Sequence, residues 1–139
     1  MQQVFAGQER TLAPNQEYRV LRGSTVVDTP VQVNDGAWHH VVISWRSADG
    51  DFRLYVDGTL RFLTTFATGQ LLTPDGTVVV GQDQDTIGGS FQATQAFDGD
   101  LDDYRVFGRA LTEDEVVALW SNRGVLHDGG DACDNCVLA

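Results

Sequence analysis

Between Gly81 and Gln95 the sequence runs Gly81-Gln82-Asp83-Gln84-Asp85-Thr86-Ile87-Gly88-Gly89-Ser90-Phe91-Gln92-Ala93-Thr94-Gln95, a stretch dense in side-chain oxygen. Calcium takes roughly six to eight oxygen ligands from carboxylates, amides, main-chain carbonyls and water. Asp83 and Asp85 at alternate positions can converge on one ion, and Gln92 and Gln95 add amide oxygens if the chain turns back on itself. Gly88 and Gly89 permit that reversal, because glycine enters left-handed backbone conformations without steric cost. Solvent exposure alone also selects Asp- and Gln-rich loops, so spacing by itself leaves both readings open.

The other reactive residue types point nowhere so specific. Cys133 and Cys136 form a C-x-x-C pair with no second pair, no nearby pair of histidines and no strand-helix context for a redox centre. They are candidates for a local or intermolecular disulfide, or simply belong to a free tail. His39 and His40 lead into an apolar run and are expected as hydrogen-bonded residues of a folded strand rather than metal ligands. Trp38 and Trp45 are expected in the core or at its rim, with a sugar platform at Trp38 as the alternative. Asp98, Asp100, Asp102 and Asp103 raise the question of carboxylate-pair hydrolysis, but they lack the Glu-x-Asp-x-x-Glu spacing of jelly-roll glycosidases. The chain also contains no Gly-x-Ser-x-Gly elbow, phosphate-binding loop or His-Glu-x-x-His motif. No catalytic residue is assigned, and the chain is read as a non-enzyme.

Short β-rich runs separated by Asp-Gly pairs must hold the loop in place. They are Tyr18–Leu21, Thr25–Val27, Val31–Val33, His39–Trp45, Phe52–Val56, Leu60–Phe66, Thr77–Gly81 and Leu101–Phe107. Regularly spaced short strands predict an all-β sandwich or barrel. Asp57-Gly58 between two such runs predicts a two-residue hairpin, whose type I′ turn needs positive φ at both positions. Asp35-Gly36, Asp49-Gly50 and Asp75-Gly76 mark further turns. One helix is predicted from Leu111 to about Asn122, opened by a Thr112/Glu115 capping box, with Val116, Leu119 and Trp120 at helical spacing.

The chain has 139 residues, of which 42% are hydrophobic and 21% charged. That is an ordinary balance for one folded domain. Twenty acidic against nine basic residues give a formal charge of −11. This argues against a nucleic-acid partner, which requires basic patches. Excess carboxylate also serves solubility. No stretch of about 18 apolar residues predicts a membrane span, and the opening at Met1 carries no signal-peptide pattern. The abrupt start on strand-like sequence suggests a longer parent chain. Residues 1–124 are expected to form the domain, and 125–139 an irregular tail carrying the two cysteines.

Two motifs in order tie these features together. The run from Gly81 to Phe91 resembles the calcium loop of pentraxins. His40-Val41-Val42-Ile43-Ser44-Trp45-Arg46-Ser47 is similar to the pentraxin signature His-x-Cys-x-Ser/Thr-Trp-x-Ser, with Val42 in place of the cysteine. Phe52–Gly58 and Phe97–Val116 resemble both pentraxins and the wider laminin-G-like superfamily, so the similarity covers about Asp35 to Leu119. It implies a concanavalin A/LamG-like jelly-roll sandwich with one short helix near the C-terminus. It further implies Ca2+ held by the side chains of Asp83, Asp85, Gln92 and Gln95 and the main-chain carbonyl of Gln84, with Asn15 as a possible additional ligand. In the pentraxin pattern two ions leave a coordination position open for a carbohydrate or a phosphocholine-type ligand. The family often has glutamate where Asp83 and Gln92 stand here, so this site carries less charge at Gln92. The resemblance also implies an extracellular setting, a possible homo-oligomer and strands ahead of Met1. The alternative function it carries is a LamG-like adhesion module that binds extracellular protein with structural calcium or none.

Overall fold

A computed structural model of the chain describes residues 2–11, 19–22, 25–71, 77–82 and 86–122, with side chains from residue 27 onward except that of Gln95. The elements in order are β1 (Gln2–Thr11), β2 (Arg19–Arg22), β3 (Thr25–Asp28), β4 (His39–Arg46), β5 (Asp51–Val56), β6 (Thr59–Thr65), β7 (Gly99–Phe107) and α1 (Glu113–Ser121). Five strands form an antiparallel sheet in the order β6-β5-β4-β1-β7, and β2 and β3 pair as a separate two-stranded sheet.

Strand alternation explains why both faces of the large sheet are covered. In β4 and β5, Val41, Trp45, Phe52, Leu54 and Val56 share one core with Val31, Val33 and Phe66, and Val27 of β3 packs against it. The opposite face buries Val42 and Tyr55 against Leu111 and Val116, with Leu60, Phe107 and Leu119 closing around them. Side chains of adjacent strand residues point to opposite faces, so one strand feeds two separate cores. The first is roofed by β3 and the extended segment that follows it, the second by α1.

The helix follows its sequence signals closely. Thr112 caps it, accepting a hydrogen bond from the Glu115 N–H while the Glu115 carboxylate accepts from the Thr112 N–H. Satisfying those free donors fixes where the helix starts. Glu113, Asp114 and Glu115 in the first turn also complement the helix dipole.

Asp57 (φ 53°) and Gly58 (φ 74°) both adopt left-handed backbone, as the type I′ reading of the β5–β6 turn requires. Gly36 and Gly50 also have positive φ, at two other Asp-Gly positions expected as turns. Asp75-Gly76 lies outside the described residues. Two expected strands do not appear among the described residues. The valines of Val31–Val33 are buried, yet the segment joins no sheet among the described residues, and Thr77–Gly81 likewise pairs with no described strand. In both cases β-branched residues stand without a described ladder partner, a distinction that strand propensity does not make.

Candidate functional site

The loop from Gly81 to Phe97 is closed at its base. Gln82 and Ala96 form an antiparallel bridge, and the Phe97 N–H donates to the Gly81 carbonyl at 2.9 Å. Gly81 adopts a φ of 78° at this point, where the chain enters the loop. Across the neck, the Gln82 side-chain amide donates to the Gln92 carbonyl oxygen at 3.0 Å. The position directly before Asp83 is thereby held next to Gln92, ten residues further along.

A second reversal lies inside the first. Thr86 and Gly89 exchange main-chain hydrogen bonds, with the Gly89 N–H on the Thr86 carbonyl at 3.0 Å and the Thr86 N–H on the Gly89 carbonyl at 3.4 Å. Gly88 lies within this turn at φ 67°, the conformation its residue type was expected to supply. Ser90 follows at φ 59°, its hydroxyl 3.2 Å from that of Thr86. A single 3-10 turn, Ala93–Gln95, leads back to the neck.

Of the residues proposed as metal ligands, Gln92 is exposed at the entrance to that turn, and Gln95 is in the turn itself. Asp83, Gln84, Asp85 and Asn15 lie outside the described residues, as do Cys133 and Cys136. Among the described residues no three His, Cys, Asp or Glu side chains gather in a way that could hold a metal. The loop surface also carries apolar side chains: Ile87 is 76% exposed and Phe91 50%.

The histidines take up positions consistent with strand residues. His40 is buried and its ring lies 6.1 Å from that of Trp120. His39 sits between two carboxylates, Nδ1 2.8 Å from Asp57 Oδ2 and Nε2 3.0 Å from Asp35 Oδ1. Asp57 also accepts the His40 N–H at 3.0 Å, so the turn aspartate clasps the start of β4 as well as making the hairpin. Nothing in the local spacing pointed to that clasp, which joins residues 17 and 18 positions apart. Trp45 is buried, its indole N–H donating to the Phe66 carbonyl at 2.7 Å, while Trp38 stands 45% exposed.

The acidic end of β7 divides in two. Asp103 (φ 53°) pairs with Arg105 at 2.8 Å on the same strand, a local structural role. Asp98, Asp100 and Asp102 are exposed.

Residues 7–117 match the family described as the concanavalin A-like lectin/glucanases superfamily. The chain belongs to this superfamily. Human neuronal pentraxin-1 is 40% identical to this concanavalin A-like domain over 106 residues, which is 76% of the chain and 24% of that protein. The mouse neuronal pentraxin receptor is 38% identical over 108 residues, 77% of the chain and 22% of the receptor. The domain therefore spans about a quarter of the length of these relatives. Among solved structures, the native heptameric SAP-like pentraxin from Limulus polyphemus superposes with a TM-score of 0.74 at 24% identity, covering 89% of this chain and 71% of that one. That likeness is one of fold, and it agrees with the antiparallel jelly-roll sandwich and short helix expected from the sequence.

Proposed function

We propose that this domain is a calcium-dependent recognition module for a carbohydrate or a phosphorylated head group such as phosphocholine. The observation that carries the reading is the closed loop, in which the Gln82–Gln92 hydrogen bond ties the position before Asp83 to the far limb. The donor set is all oxygen: carboxylates from Asp83 and Asp85, amides from Gln92 and Gln95, and the Gln84 carbonyl. This suits a hard cation such as Ca2+. Bound calcium would supply a positive centre on a surface whose formal charge is −11, allowing an anionic group to approach where it would otherwise be repelled. The loop residues hold and orient; no reaction is assigned to them. Similarity to neuronal pentraxins supports the reading, and the superfamily's description names lectins beside glucanases. An extracellular setting and self-association, as in the heptameric Limulus protein, belong to the same proposal, with residues 1–124 as the folded unit.

A second reading is favoured by Ile87 and Phe91, whose exposure on the same loop suits contact with a protein. In that case the domain is a LamG-like adhesion module and calcium is structural or dispensable. Binding to immobilised phosphocholine and to a glycan panel, each with calcium and with excess chelator, tests the first reading. Binding abolished by chelator supports it. Binding to neither probe under either condition overturns it and leaves the adhesion module.

A further inference from the structure

His39 is the one described histidine held between two carboxylates, and those carboxylates belong to different parts of the fold. Asp57 is in the β5–β6 turn and Asp35 in the loop that precedes β4. We infer that His39 is a proton-operated latch, fastening the Asp35–Trp38 segment to the β5–β6 turn when its ring is protonated and releasing it when neutral. An imidazolium ring donates from both nitrogens, so it satisfies Asp57 Oδ2 at 2.8 Å and Asp35 Oδ1 at 3.0 Å together. A neutral ring has one N–H and one lone pair. One of the two contacts must then set a lone pair against a carboxylate.

The Asp35 contact is the one that gives way. Asp57 is held in place by the His40 N–H and by the backbone bond from its own N–H to the His40 carbonyl at 2.9 Å. Its side chain is 31% exposed against 64% for Asp35. Asp35 retains local backbone contacts, the Ala37 N–H at 2.8 Å first among them. Trp38, the exposed aromatic at the end of this segment, is freed with it.

The charged and titratable groups around the ring place the transition above the ordinary histidine pKa. Besides Asp35 and Asp57, Glu9 occupies the register position opposite His39 on β1, and His40 is its chain neighbour. Burial alone lowers the affinity of His39 for a proton, but the hydrogen bonds to Asp57 and Asp35 outweigh it and raise the pKa above 6.5. The latch is therefore fully closed below the ordinary histidine pKa and opens as pH rises through the raised value.

Nuclear magnetic resonance of the isotope-labelled chain between pH 5 and 9 tests this. His39 is expected to titrate above 6.5, and the amide order parameters of Gly36 and Ala37 to fall with it, from a rigid value of about 0.85 towards about 0.6. In Asp35→Asn the amide can accept from Ala37 and donate to a neutral ring, so the pKa of His39 should drop and the loss of order should disappear. A His39 pKa at or below 6.5 overturns the inference. So do order parameters that ignore the protonation of His39, or an unchanged step in the Asp35→Asn chain.

Discussion

Trp120 of α1 rests on Gly58 at the tip of the β5–β6 hairpin, so closely that a Cβ at position 58 would lie 2.9 Å from Trp120 Cδ1. Gly58 is thus required twice, for its φ of 74° and for the space it leaves to the indole. Gly58→Ala should cost about 1–3 kcal/mol through backbone strain alone, with displacement of Trp120 in addition. Urea unfolding followed by tryptophan fluorescence measures the cost. A change below about 0.5 kcal/mol, the range of ordinary surface substitutions, would show that the turn tolerates a side chain and that the helix contact is loose.

Trp45→Phe should destabilise the first core by about 2 kcal/mol. It removes the donor to the buried Phe66 carbonyl, leaving that acceptor without a side-chain partner, and it leaves a gap beside Phe52 and Leu54. Trp38→Phe, at a half-exposed position, should change stability little. Thermal unfolding of the two variants side by side should separate them clearly.

The Arg46 guanidinium holds the Asp49 carboxyl down to about 2, with the Asp51 N–H assisting. Arg109 does the same for Glu115, again to about 2, helped by the Thr112 N–H. Both pKa values lie below those of the free groups, so their contributions are complete above about pH 5 and are lost as pH falls towards 2. Stability should therefore decline across that window, and Asp49→Asn with Glu115→Gln should make the decline shallower. Unfolding midpoints measured at successive pH values check the slope. An identical slope in the double variant would show that these exposed pairs contribute nothing measurable.

Much of this fold is legible in the sequence because its signals are local. The Thr112/Glu115 capping box, the Asp57-Gly58 turn and the alternation of β4 and β5 each need only a few neighbouring residues to act. What escaped local reading depends on distant partners. Val31–Val33 reads as a strand, but among the described residues it covers the sheet core formed by Trp45 and Phe52 and joins no ladder. The Asp57 clasp on His39 and His40 joins two turns whose proximity only the sheet register creates. In the candidate loop, the reversal at Gly88 was foreseeable from residue type. The Gln82–Gln92 bond was not, because glutamine spacing carries no signal for it.

The most direct test of calcium binding is the melting temperature of the chain in about 5 mM calcium, above the roughly 0.1–1 mM dissociation constants of extracellular calcium modules, and then in excess chelator. A ligand at about fifty times its dissociation constant stabilises the folded state by roughly 2.3 kcal/mol, which for a domain of this size is a rise of roughly 5–8 °C. Such a rise is expected, reversed by chelator and lost in Asp85→Ala. An equal melting temperature in calcium and chelator, confirmed by a flat calorimetric titration, would contradict it.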